Sequence, residues 1–115
     1  MKNIISFQGE LGSYSHQACL DLYPNHEVRP CLTFELAIDS VNREDSQLAM
    51  LPIENSTYGR VADIHSILPA SGLTIIKEYF LRVRINLLAL PGSKLEQIKS
   101  AVSHTVLLGQ CQNLL

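Results

Sequence analysis

The sequence has no tryptophan, and Asp, Glu, Lys and Arg together make up only 17% of it, nine basic residues against eleven acidic ones. Basic residues so few and so scattered do not form the stripe that a phosphate backbone requires, so no nucleic-acid partner is expected. Long apolar runs are also missing. None approaches the ~18 to 20 residues of a membrane span, and the amino-terminal "MKNIISFQGELGSYSH" has one Lys and an apolar run too short for a signal-peptide core. A cytoplasmic protein without membrane contact is therefore expected. Cysteine is sparse: Cys19, Cys31 and Cys111 are odd in number and lack CxxC or Cys/His ligand spacing, which points away from a disulfide framework and from zinc. "GELG" at Gly9 to Gly12 is not a GxGxxG fingerprint, and no acidic residue follows it in the required context, so a dinucleotide site is disfavoured. Neither a zinc site nor a dinucleotide is expected.

What is present is a chain of 115 residues with 46% hydrophobic content, about one domain by length and enough to bury roughly two thirds of its unfolded surface. Short β-prone runs alternate with helical periodicity. Ile4 to Phe7 reads as a strand, "QGELGS" as a glycine loop, and Tyr14, Ala18, Cys19 and Leu22 as one face of a helix. Val28 to Leu32 is a second strand, and Thr33 caps a helix whose inner face is Phe34, Ala37, Ile38 and Val41. Gln47 to Ile53 reads as a central strand covered on both faces, followed by a helix marked by Val61, Ile64 and Leu68 that ends at "PASG", Pro69 to Gly72. Val83, Ile85 and Leu87 then alternate with Arg82, Arg84 and Asn86, the rhythm of a strand with one wet face. After the turn at Pro91 and Gly92 come a short helix at Leu95 to Ile98, a strand at Ala101 and Val102, and a last helix from Thr105.

These units imply an α/β fold with a mainly parallel sheet and right-handed crossovers. The final helix presents Val106, Leu107, Cys111, Leu114 and Leu115 with no capping residue, an uncovered apolar face that predicts truncation and association with another copy.

In open α/β sheets, ligands sit beyond the carboxyl ends of the strands, where loops and helix starts offer backbone N–H groups. "GELGSYSH" (9–16) and "ENSTYG" (54–59) take that position in the first unit, and "SHTVLLGQC" (103–111) takes it in the second. Three such helix starts around one crevice suit a small carboxylate. Ser13, Ser15 and Ser56 can equally serve as helix caps. His65 falls on the inward face of its helix and is expected to be packed there, whereas His16 and His104, beside hydroxyl residues, remain open between packing and ligand binding. "NST" at Asn55 to Thr57 matches a glycosylation acceptor, without the secretory signal that would give the match meaning.

Four blocks, "GSYSHQA" (12–18), "PIENSTYGRV" (52–61), "EYFLRVRINLLAL" (78–90) and "SHTVLLGQC" (103–111), resemble prephenate dehydratase in content, order and spacing. The resemblance implies a two-lobe catalytic domain like a type II periplasmic binding protein, with 1–79 as first lobe and 80–115 as crossover strand and incomplete start of the second. It also implies conversion of prephenate to phenylpyruvate in phenylalanine biosynthesis, a carbon–oxygen lyase reaction needing no cofactor. Carried over by residue, Asn55 and Ser56 bind substrate, Glu54 organises their loop, Ser103, His104 and Gln110 line the opposite wall, and Ser13 and Ser15 complete the first-lobe donors. Thr105 and Val106 stand where many members have Pro-Gln, and Ile85 where many have His. The family's Thr-Arg-Phe block, whose Thr is the favoured proton donor, is not in the 115 residues, and neither is the ACT regulatory domain. Two readings follow: part of a dehydratase, inactive alone, with prephenate or arogenate as its substrate; or a non-catalytic small-carboxylate binder of the same fold.

Overall fold

The computed structural model describes residues 3–55, 59–60, 62–83, 87–100 and 102. Its centre is a three-stranded parallel sheet in which β1 (Ile4–Gln8) lies between β2 (Glu27–Cys31) and β3 (Leu48–Met50). The sequence explains this order. β2 is interrupted by Arg29 and Pro30 and the three residues of β3 are only half-buried, whereas Ile5, Ser6 and Phe7 of β1 are all buried. Pro30 removes a ladder donor from β2, which suits an edge strand. Gln47 sets the register of β3 by bracketing Ile4, its backbone N–H donating to the Ile4 carbonyl at 2.9 Å and its Oε1 accepting from the Ile4 N–H at 2.7 Å.

Alternation along β1 assigns its two faces. Ile5 and Phe7 pack with Cys19 of α1 (Tyr14–Leu22), and Tyr23, Val28, Leu48 and Met50 close around them. Ser6 faces the other way, toward α2 (Phe34–Asn42), where its hydroxyl donates to the Ala37 carbonyl at 2.9 Å and accepts from Ser46 Oγ at 3.3 Å. Both hydroxyls are buried, and this pairing keeps Ser6 satisfied there. The helices thus cover opposite faces, and the strand order reverses direction at β1, which makes the carboxyl end of β1 the switch point of the sheet.

Thr33 caps α2 as expected, its Oγ1 accepting from Leu36 N–H at 3.1 Å, and Ala37 and Ile38 bury the inner face. Other expectations are corrected. The Gln47 to Ile53 strand is shorter and lies at the margin: β3 covers only Leu48–Met50, its residues are half-buried, and among the described residues it pairs with β1 alone. A further two-stranded antiparallel pair, β4 (Glu54–Asn55) with β5 (Gly59–Arg60), stands between β3 and α3 (Ala62–Ile67). The Leu95 to Ile98 helix is a 3-10 turn over Leu95–Gln97.

Around Val83 the alternation survives in burial, with Leu81 and Val83 half-buried and Arg82 exposed, but residues 73–83 and 87–90 form no strand. A strand needs a neighbour to take its backbone groups, and none pairs there among the described residues. Tyr79 instead fixes this segment to α1, its hydroxyl donating to Asp21 at 2.8 Å. That bond, and secondarily its partial burial and the carboxylate charge, raises the Tyr79 pKa. Ile85, Ala101 and the helix from Thr105, with its apolar face, lie outside the described residues. Among the described residues no helix is long and apolar enough to cross a membrane.

Burial pushes the Cys19 thiol up to about 11 from 9.0. The folded state therefore holds its proton more tightly than the unfolded state, so stability is unaffected below about pH 9 and declines between pH 9 and 11. The decline attributable to this group is about 2 to 3 kcal/mol. Urea titrations of the native chain and Cys19→Ala across that range are expected to diverge by this amount, and parallel curves would refute the assignment.

Candidate functional site

The loop after β1 turns twice on glycine, Gly9 and Gly12 having φ of 127° and 92°. Gly9 N–H donates to the Cys31 carbonyl at 2.9 Å, tying the loop to the end of β2. The turn delivers Ser13 to the amino-terminal cap of α1, where its Oγ accepts from His16 N–H at 3.2 Å. The capping reading of Ser13 is thus correct, yet a hydroxyl that accepts a bond keeps its own proton to donate. Ser15, one turn position on, is half-buried, and among the described residues its hydroxyl has no hydrogen-bond partner. Both serines sit beyond the carboxyl end of β1.

Beyond the neighbouring end of β3 runs the segment that leads through Pro52 and Ile53 to Glu54 and Asn55. Because Phe7 pairs with Met50 in register, this segment leaves the sheet beside the β1 loop. Glu54 and Asn55 then pair antiparallel with Arg60 and Gly59. The packing expected for His65 is found: it is half-buried, and its Nε2 lies 2.9 Å from the Ile53 carbonyl, a bond that ties α3 to the base of this segment. Sequence reasoning missed that tether; its signal was the spacing of Ile53 and His65 across a hairpin that the sequence did not announce.

Ser13 and Ser15 after β1 and Glu54 and Asn55 after β3 thus follow neighbouring strands at the same, carboxyl end of the sheet. Ser56, Ser103, His104 and Gln110 lie outside the described residues.

An open depression of about 210 Å³ lies on the β2 side, lined by Gln8, Leu32, Thr33, Phe34, Glu35 and Asp63. Two carboxylates and no basic residue line it, so it is a poor receptor for a dianion, whereas the β1–β3 edge offers hydroxyls and backbone amides. Cys31 at the end of β2 has its thiol pKa raised by burial, with Arg29 opposing the shift, so it is no activated nucleophile.

The chain matches the family model described as prephenate dehydratase over residues 5–115. It is 42% identical over 114 residues to a bifunctional N-acyl-homoserine lactone acylase/prephenate dehydratase of Komagataeibacter europaeus, covering 99% of this chain and 41% of that protein. It is 43% identical over 111 residues to the chloroplastic arogenate dehydratase/prephenate dehydratase 1 of Arabidopsis thaliana, covering 96% of this chain and 28% of the relative. A solved structure described as GqqA, a novel type of quorum quenching acylase, superposes with a TM-score of 0.77 at 43% identity, covering 97% of this chain and 41% of that one. The chain thus spans less than half the length of these relatives.

Proposed function

The chain belongs to the prephenate dehydratase family, and from that premise we propose that its residues 1–79 form the first lobe of a two-lobe dehydratase domain, with 80–115 beginning the second. On this reading the β1–β3 edge is one wall of a cleft for prephenate, a dicarboxylate. The observation that carries it is that two donor-rich segments leave the sheet at its switch point, Ser13 and Ser15 after β1 and Glu54 and Asn55 after β3.

The reaction takes prephenate and a proton to phenylpyruvate, carbon dioxide and water. The ring carboxylate leaves as carbon dioxide, its bonding electrons enter the ring, and the ring hydroxyl departs as water once protonated, leaving an aromatic ring. Aromatisation drives the step, and no electron acceptor is required. A fixed cation beside the departing carboxylate would stabilise the ground state and oppose its loss. Neutral hydroxyls, amides and backbone N–H groups hold the carboxylates without that penalty. In this account Asn55, Ser56, Ser13 and Ser15 anchor substrate from the first lobe and Glu54 orders its loop, while Ser103, His104 and Gln110 face them. The family's Thr-Arg-Phe block, whose Thr is the favoured proton donor, is not among the 115 residues, and we propose that the residues named here supply the binding and not the proton.

The acylase activity in two relatives' names is not carried over. Amide hydrolysis by a serine needs a base hydrogen-bonded to the nucleophile. Ser13 Oγ is instead held by a backbone amide, and the neighbouring His16 Nδ1 by another. Asn55→Ala is expected to weaken prephenate binding by about tenfold, the worth of one hydrogen bond to a charged group. Calorimetric titration of the two proteins checks this, and equal affinities would remove Asn55 from the site.

A further inference from the structure

His16 is the third residue of α1 and half-buried. Its ring lies flat against Phe7, the ring centroids 5.7 Å apart and the planes 7° from parallel. Its Nδ1 is 2.8 Å from the backbone N–H of Gly12. A backbone amide can only donate, so Nδ1 accepts and carries no proton. The neutral imidazole then has its single proton on Nε2, on the far side of the ring from Gly12.

The orientation of the ring is fixed twice over, the stack on Phe7 setting its plane and the Gly12 bond setting its rotation within that plane. His65 offers a contrast. Its Nε2 is spent on the Ile53 carbonyl, as in a histidine used for packing. In His16 the equivalent atom meets no acceptor among the described residues. The protein thus holds a histidine rigidly, fixes its tautomer, and leaves its one donor unspent. It does so above Phe7, at the level where β1 and β3 end and the Ser13 and Glu54–Asn55 loops begin.

We propose that His16 is a binding residue for a carboxylate ligand of this cleft, with Nε2–H donating to one carboxylate oxygen. The inference rests on the reading of the β1–β3 edge as a carboxylate site and adds a residue to it. An imidazole whose Nδ1 accepts from Gly12 presents Nε2–H as a directed donor, the kind of group that orients a carboxylate oxygen.

Two substitutions separate the functions of the two ring nitrogens. His16→Asn places an amide oxygen near the position of Nδ1, keeping an acceptor for Gly12, and offers nothing at Nε2. His16→Gln places an N–H near Nε2 and loses the acceptor for Gly12. On titration of the 115-residue chain with prephenate, His16→Asn is expected to lose about tenfold in affinity while melting near the native temperature. His16→Gln is expected to keep its affinity within about threefold and to lose stability. A purely structural histidine would give the opposite order.

Imidazole ¹⁵N NMR of the unsubstituted chain supplies a readout independent of either variant's folding. It should show the Nε2–H tautomer, and the Nε2–H signal should move on addition of prephenate and of malonate, a plain dicarboxylate probe. Prephenate binding that leaves this signal and the His16→Asn affinity unchanged would overturn the proposal while sparing the substrate reading. Movement with malonate alone would uphold His16 as a carboxylate donor and sink prephenate as the ligand. A signal indifferent to both ligands would overturn the proposal outright.

Discussion

Phe7→Ala is expected to destabilise the chain by about 3 to 5 kcal/mol, the range for removing a buried aromatic ring from a core that cannot collapse around the loss. Phe7 is fully buried at the centre of the three-stranded sheet, with Ile5 and Cys19 on the same face and Val28, Leu48 and Met50 closing around them. The core is small, so few other contacts offset the cavity. A domain of this length is stable by about 5 to 15 kcal/mol in total, and the variant should therefore be partly unfolded at 25 °C or nearly so. The same ring is the platform for His16, so whatever folded fraction remains should bind carboxylates poorly. Urea unfolding followed by circular dichroism measures the first effect; a loss below about 1 kcal/mol would show that the core is centred elsewhere.

Gly9→Ala is the second large effect, about 2 kcal/mol, and it acts through the backbone rather than the core. At φ of 127° a side chain is strained whatever the surrounding space, and a Cβ at this position would also come within 3.3 Å of Ser13 Oγ. The substitution therefore pushes on the atom that caps α1, and the cap, the Gly9 bond to Cys31 and the path of the loop should shift together. Gly12 provides the internal comparison. Its φ is 92°, but a Cβ there would meet nothing within 4 Å, so Gly12→Ala should show the backbone strain alone. Gly9→Ala should accordingly be the less stable of the two and the weaker in ligand affinity. Equal melting temperatures would mean that the contact with Ser13 contributes nothing.

The first 50 residues were legible because each element carried its own signal. The Tyr14, Ala18, Cys19, Leu22 spacing gave α1, and Thr33 before Phe34, Ala37 and Ile38 gave α2 with its cap. What the sequence did not reveal was which strand lies in the middle. The apolar run of Gln47 to Ile53 is longer than that of β1, yet burial depends on neighbours, and β1 is the strand with two. The Glu54–Asn55 and Gly59–Arg60 pair was hidden for a related reason, since two-residue strands are too short for any period to register. Past Gly72 the alternation around Val83 was real in burial but formed no ladder, because pairing is set by a partner and not by the strand itself. In the site, the serines were readable from their place after β1. The fixed tautomer of His16 was not, because it depends on a backbone amide four residues away and a ring in another element.

The central claim is that these residues build the carboxylate-anchoring wall of a dehydratase cleft without its proton donor. The most direct test is one titration of the 115-residue chain with prephenate, with bound ligand followed by calorimetry and phenylpyruvate followed by its absorbance in the same samples. Saturable binding with no phenylpyruvate above the uncatalysed rate is the predicted result. Catalytic turnover would contradict the division of labour between the wall and the missing acid, and the absence of any binding would contradict the wall itself.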